Sequence, residues 1–542
     1  MSSETDKRLQ VNLKGFSEAV AVSQRAINNN LEALLKIYPE FGEINIRAHD
    51  GNMNAQLNSG QVALHITDGN RGMVDYYCRF KSGTVSVWDD DLDDFTDDID
   101  MTGWVFAFGV SMGAINVDEG TEEHKEIRSV INQPGDYSIL RLYLDFNTHT
   151  ISSFNQAASD FCGYEFSESG MISFLAIMLK WGKDITDAVN EEPRKTTIGY
   201  SAKVNDPNSV NEEAPTFPPT SVKFQNYEYL AQGQTTPTDG VGAKGDNNVL
   251  LYLEMTQHQS FPPEQQLTYS GNFVTPDMDG TICISREVFF DSYLLRTAPS
   301  FLLNSLNSSI YAWIAGDRNV HADTEYPSPE KNLKLGPGSD KDGNSDFFTF
   351  NPVVDNRTKW EWKQHDYTLD DPREVKLQYW VENNHALELK PGTNQMVLSG
   401  EAKIHFKNQY YPIYLFGGNQ GCEASATATW AINITLNSVK EGGLEISLNL
   451  PDDPNDLFEI SPYFDDWPFS NIYPPYGEHL KERMQSAITV APLWEAAREL
   501  QTALSSTARF VVPGGGTFFY KNPIFNNNGD VMIEAQYNGV DA

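Results

Sequence analysis

The chain is short of cysteine, of long apolar runs and of positive charge, and each shortage excludes a class of protein. Four cysteines, Cys78, Cys162, Cys283 and Cys422, are scattered through 542 residues with no C-x-x-C pair and no zinc-ligand spacing. That pattern supplies no disulfide scaffold, and a chain of this length buries a core without one. Mostly buried, free thiols in a reducing compartment are the expectation. No stretch approaches 18 consecutive apolar residues, so no transmembrane helix is expected. Met1 to Gln10 is polar and lacks the apolar core of a secretory signal. A cytoplasmic location follows by default, with non-classical release as the alternative.

Basic residues number 39 against 75 acidic ones, a formal net charge of −36. A field of that sign repels phosphate backbones and anionic membrane surfaces. No basic run with interleaved aromatics counters it, so nucleic acid is excluded as a partner.

Compact catalytic signatures are missing as well. The ten histidines form no H-E-x-x-H and no H-x-H, and no serine sits in G-x-S-x-G. There is no phosphate-binding G-x-x-x-x-G-K-[ST] and no G-x-G-x-x-G. Gly514-Gly-Gly516 reads as a bend before a strand, His124 as part of a wet charged segment, and His405 as a solvent or sheet-face residue. No enzyme is expected, and no cofactor beyond weakly bound calcium.

That calcium reading rests on the carboxylate run from Asp89 to Asp100. Asp89, Asp91 and Asp93 have the spacing with which a calcium loop opens. Asp94 stands where such a loop needs glycine, and Asp100 where it needs glutamate. The run therefore reads first as a solvated acidic loop and second as a weak calcium site.

What the chain has in plenty is aromatic residues, 12% of the total, which suit pleated sheet. Ser23 caps a helix in which Ile27, Leu31, Leu34, Leu35 and Tyr38 recur on one face, stopped by Pro39 and Gly42. Strand patterns follow over 62–66, 74–80 and 85–87, with Gly69, Gly72 and Gly83 as turns. More strands are expected near 104–110 and 137–146, then a helix over 171–185. Residues 191–245 are rich in proline and read as a linker or long excursion, with one strand near Val222 to Tyr229. Strands at 249–255 and 281–284 come next, then a helix capped by Ser285 and a helical run over Phe301 to Trp313. Asp317 to Asn356 reads as a second excursion. Seven short strands are expected between 375 and 450, a helix from about Glu478 to Leu504, and a closing hairpin at 518–537 around Asn526-Asn-Asn-Gly529.

This gives an N-terminal α+β part (1–190), the 191–245 excursion, and a C-terminal sheet-and-helix part (246–542). The fold class is α+β: long amphipathic helices wrapped by strongly curved antiparallel sheet, with proline-rich loop excursions. A seam between helix and sheet would hold a lipid or other hydrophobic ligand. The competing reading is a carbohydrate-active enzyme or carbohydrate-binding protein that uses carboxylates and exposed tryptophans. Trp360 and Trp362 alternate in Lys359-Trp-Glu-Trp-Lys363, so both rings share a face, as a stacking platform or as sheet core.

Three segments carry a family likeness. They are Phe510-Val-Val-Pro-Gly-Gly-Gly-Thr-Phe-Phe-Tyr-Lys-Asn-Pro-Ile-Phe525 with the Asn-Gly turn after it, Ala26-Ile-Asn-Asn-Asn-Leu-Glu-Ala-Leu-Leu35, and Leu267-Thr-Tyr-Ser-Gly-Asn-Phe273 leading into Asp279 to Phe290. Together they resemble the P47 and OrfX proteins, encoded beside clostridial neurotoxins and having bacterial and fungal relatives. The resemblance implies the tubular lipid-binding (TULIP) superfamily. It also implies lipid or hydrophobic-ligand binding, or a structural part in a toxin-associated assembly with a protein partner, and no catalysis.

Overall fold

The computed structural model describes residues 3–66, 72–131, 137–146, 154–188, 197–204, 219–295, 312–314, 333–335, 349–370, 375–410, 420–439, 443–449, 451–452, 456, 458–466 and 518–537. Among them the strands form sheets of six, nine and seven strands and a two-stranded ribbon. The strand pairings are antiparallel throughout.

The six-stranded sheet joins the two ends of the chain. Its order is Ser221–Tyr227, Val249–Met255, Glu18–Ser23, Gly280–Ile284, Val531–Tyr537 and Phe518–Phe525. Glu18–Ser23 and Val249–Met255 are buried at every position, which explains their apolar runs Ala19 to Val22 and Val249 to Leu253. One face packs Ala19, Ala21, Leu251, Leu253 and Cys283 against loop residues Val11, Leu13, Phe16, Leu267 and Phe273. The other turns Val20, Val22, Leu250 and Tyr252 into a larger core shared with the other sheets. The predicted terminal hairpin forms, and its Asn526 side chain donates to the Val11 carbonyl at 2.9 Å.

The nine-stranded sheet curves into a partly barrel-like wall. Gln24–Ile37 is the predicted helix: the Ser23 hydroxyl accepts from the Ala26 amide, and Ile27, Leu31 and Leu34 are buried. The second helix, Glu168–Ala188, lies on the strands Glu43–Ala48, Gly51–Leu57 and Met73–Asp89. Trp104 anchors that region, its ring within 6.0 Å of those of Phe161, Tyr164, Phe166 and Phe174.

Several expectations are corrected here. Gly83 is no turn: Met73–Asp89 runs through it as one strand of 17 residues. Gly83 has φ +141°, and a Cβ there would lie 2.5 Å from the Ala55 Cα, so glycine permits a close strand approach instead of a reversal. The acidic run carries two short strands, Asp94–Phe95 and Ile99–Asp100, that pair with the same long strand. Thr197–Val204 is a strand inside the expected excursion and pairs with Tyr137–Asp145. The helix after Ser285 is a π-helix, Glu287–Leu294. Ala312–Ile314 is a strand where a helical run was expected; residues 301–311 lie outside the described residues, as do the expected helix at 478–504 and Gly514 to Gly516.

The largest correction concerns the seven-stranded sheet. The short strands expected between 375 and 436 are three long ones, Val375–Leu389, Gln395–Tyr410 and Gln420–Val439, of 15, 16 and 20 residues. Asn356–Asp370 precedes them, and Gly443–Asn449 and Phe458–Asp466 both pair with Gln420–Val439. The polar stretches that resemble breaks, such as Glu382 to His385, are continuous with the ladder.

Candidate functional site

The seven-stranded sheet has one face that is buried along successive rungs. Trp360, Leu387, Leu398 and Ile432 lie directly opposite one another across four strands, and each is wholly buried. Leu389, Met396 and Ile434 make the adjacent rung and are equally enclosed. Strict alternation of side chains puts these residues on one side of the sheet. At 3.3 Å per residue, the 20-residue strand extends roughly 65 Å.

On the other side of the Trp360 rung the chemistry changes. Trp362, His385, Gly400 and Trp430 form the next rung. His385 is 1% exposed, and its ring meets Trp362 at 5.1 Å and 88° and Trp430 at 5.3 Å and 74°. Gly400 makes this possible: a Cβ there would stand 2.3 Å from three atoms of the Trp430 ring, which lies across the glycine. Burial holds the His385 imidazole at a pKa of about 3, so it is neutral. Beyond it, the buried Asn383 donates to Gln364 at 2.8 Å.

A second polar feature lies within the six-stranded sheet. Glu18 and Glu254 are cross-strand partners, both are buried, and their side chains hydrogen-bond each other. Burial, and then the neighbouring carboxyl, drives the Glu18 pKa far up; burial also raises that of Glu254. A cleft of about 420 Å³ opens nearby, lined by Lys14, Phe16, Ser17, Ser285, Glu287, Arg357 and Asp530, among others. Within it Arg357 pairs with Glu287 at 2.6 Å, and the buried Asp530 carboxylate accepts from the Arg286 backbone amide. Above the cleft the Trp360 Nε1 donates to Asp291 at 2.7 Å, joining the π-helix to the long-stranded sheet.

The residues singled out from the sequence are dispersed. Asp89 turns inward and accepts from the Asp91 amide and the Ser169 hydroxyl; Asp91 and Asp93 are exposed. Among the described residues no group of three or more His, Cys, Asp or Glu side chains is arranged to hold a metal. Trp360 and Trp362 are 0% and 4% exposed, so they build core and present no open stacking platform. His124 is buried, not wet. His405 takes the sheet-face position, stacked on Trp380 at 3.5 Å. Sequence reasoning passed over Glu18, Glu254 and His385. The signal for His385 was present: it falls in phase with Val381, Leu387 and Leu389 once the strand is drawn unbroken.

The sheets and helices place the chain in the α+β class, curved antiparallel sheet with helices packed on it. No family model matches the chain, and neither does any curated protein. Among solved structures it is similar to P47 from Clostridium botulinum A2, at 12% identity and a TM-score of 0.47, over 98% of this chain and 99% of that one. P47 of Clostridium botulinum E1 is similar at 11% identity and a TM-score of 0.42, over 97% and 99%. A lipopolysaccharide binding protein is similar at 8% identity and a TM-score of 0.36, over 96% and 99%.

Proposed function

We propose that this protein is a noncatalytic carrier or receptor for lipid-like, hydrophobic molecules, held along the inner face of the seven-stranded sheet. The observation that carries this reading is the apolar face itself. Two adjacent rungs of Trp, Leu, Met and Ile lie on strands of 15 to 20 residues, all directed to one side. Such a surface offers an alkyl chain continuous contact, worth about 25 cal/mol per Å² of apolar area removed from water. Next to the apolar rungs, the polar side chains His385, Asn383 and Gln364 are uncharged, as suits an apolar guest.

The full chain, purified without detergent and sprayed under native conditions, is expected to carry a mass increment that dissociates as lipid. After delipidation it is expected to take up radiolabelled long-chain probes at about one per chain. Failure of both measurements would rule the reading out.

A further inference from the structure

Among the described residues, three nitrogen atoms on one rung of the long-stranded sheet have no hydrogen-bond partner: His385 Nδ1, His385 Nε2 and Trp430 Nε1, all closed off from solvent. A buried polar atom left unpaired loses its bonds to water without replacement, and such atoms are rare in folded proteins. Here three lie side by side on an otherwise apolar face. The neighbouring rung shows the usual solution, where the Trp360 Nε1 donates to Asp291. The rung on the other side shows it again, with Asn383 donating to Gln364. Between two satisfied rungs, His385 and Trp430 have hydrogen-bonding capacity to spare.

We infer that this rung is a recognition point for one uncharged hydrogen-bonding group, a hydroxyl above all, on a long-chain apolar molecule lying along the sheet. The inference rests on the lipid-binding reading above and names the class of lipid. Neutral imidazole offers one N–H donor and one bare nitrogen acceptor, and the indole N–H adds a second donor. A hydroxyl both accepts and donates, so it can engage an N–H and the bare nitrogen together. A carboxylate or phosphate is a poor match: burial keeps His385 neutral, and no formal charge on the rung repays the desolvation of an anion. Gly400 belongs to the same device, since any side chain there would push the Trp430 ring off the rung.

The test uses the full-length, delipidated protein with three probes of equal chain length: radiolabelled hexadecane, hexadecanol and, at pH 8, palmitate. Hexadecanol is expected to bind about fivefold to tenfold more tightly than hexadecane, the factor that a net hydrogen bond or two confers, and palmitate more weakly than hexadecanol. In His385→Phe the alcohol should lose its advantage to within about twofold while hexadecane binding persists. His385→Gln, which keeps a donor and an acceptor, should retain part of the preference. Trp430→Phe keeps an aromatic ring, though a smaller one, removes the N–H, and supplies the measurement if His385→Phe does not fold. Equal binding of hexadecane and hexadecanol by the native protein, or a preference that survives both His385→Phe and Trp430→Phe, would overturn the inference and leave lipid binding intact. Failure to bind any of the three probes would overturn both.

Discussion

Glu18 and Glu254 face each other inside the core, where two ionised carboxylates cannot both be tolerated, so the folded chain keeps a proton that the unfolded chain releases. The folded-state values lie above the ordinary 4.5, that of Glu254 at about 8. The stabilisation is therefore complete below the ordinary carboxylate range and is lost as pH rises towards 8. One shared proton gives a slope of about −1.4 kcal/mol of stability per pH unit across that window. Urea midpoints measured at pH 5.5, 6.5 and 7.5 should fall accordingly, and Glu254→Gln should flatten the fall. Identical slopes in the two proteins would show that the pair holds no shared proton. Gly400 makes the second prediction at this scale. Gly400→Ala puts a methyl group against the Trp430 ring and should destabilise the fold by about 1–3 kcal/mol, with a shift in tryptophan emission as the ring moves.

At the scale of elements, the helix Gln24–Ile37 begins where Ser23 offers its hydroxyl to the Ala26 amide at 3.1 Å. Ser23→Ala leaves that amide unpaired and should cost about 1 kcal/mol, read as a lower urea midpoint with native-like circular dichroism; an unchanged midpoint would show that the cap contributes nothing. The helix was legible because its stripe recurs at helical spacing and its cap and stop are local residues. The long strands were not. Glu382, Asn383, Asn384 and His385, then Ser399, Gly400 and Glu401, resemble punctuation, yet each pairs across the sheet in register. Their polarity is accommodated by hydrogen bonds such as Asn383 to Gln364, by indole rings, and by solvent on the alternate face, none of which a local window can display. The same blindness hid the strand Thr197–Val204, whose partner lies about 60 residues earlier in the chain.

For the molecule as a whole, the decisive feature is that the last described hairpin closes what the first strand begins. Val531–Tyr537 covers the edge of Gly280–Ile284, and Cys283, wholly buried, lies opposite Met532. Asn526 and Asn528 tie the hairpin to the Val11 carbonyl, and Phe525 exchanges backbone hydrogen bonds with the Gly392–Thr393 turn of the long-stranded sheet. Ending the chain at residue 517 should therefore open the edge beside Cys283. In a background carrying Cys162→Ser and Cys422→Ser, which leaves the buried Cys78 and Cys283 as the remaining thiols, the truncated protein should gain a fast-reacting thiol that the full-length double variant lacks. Its absence would mean that the hairpin is not what seals this edge.

The sequence alone determined the α+β class, the helix after Ser23, the closing hairpin, the strands at 249–255 and 281–284 and the lack of compact catalytic motifs. These depend on the periodicity of neighbouring residues or on short strings, and local physics expresses them directly. The tertiary structure alone decided that Glu18 meets Glu254 across 236 positions (254 − 18), that Trp360 and Trp362 turn inward, and that His385 lies between two indoles. Each follows from strand register, and register is set by what the whole sheet buries.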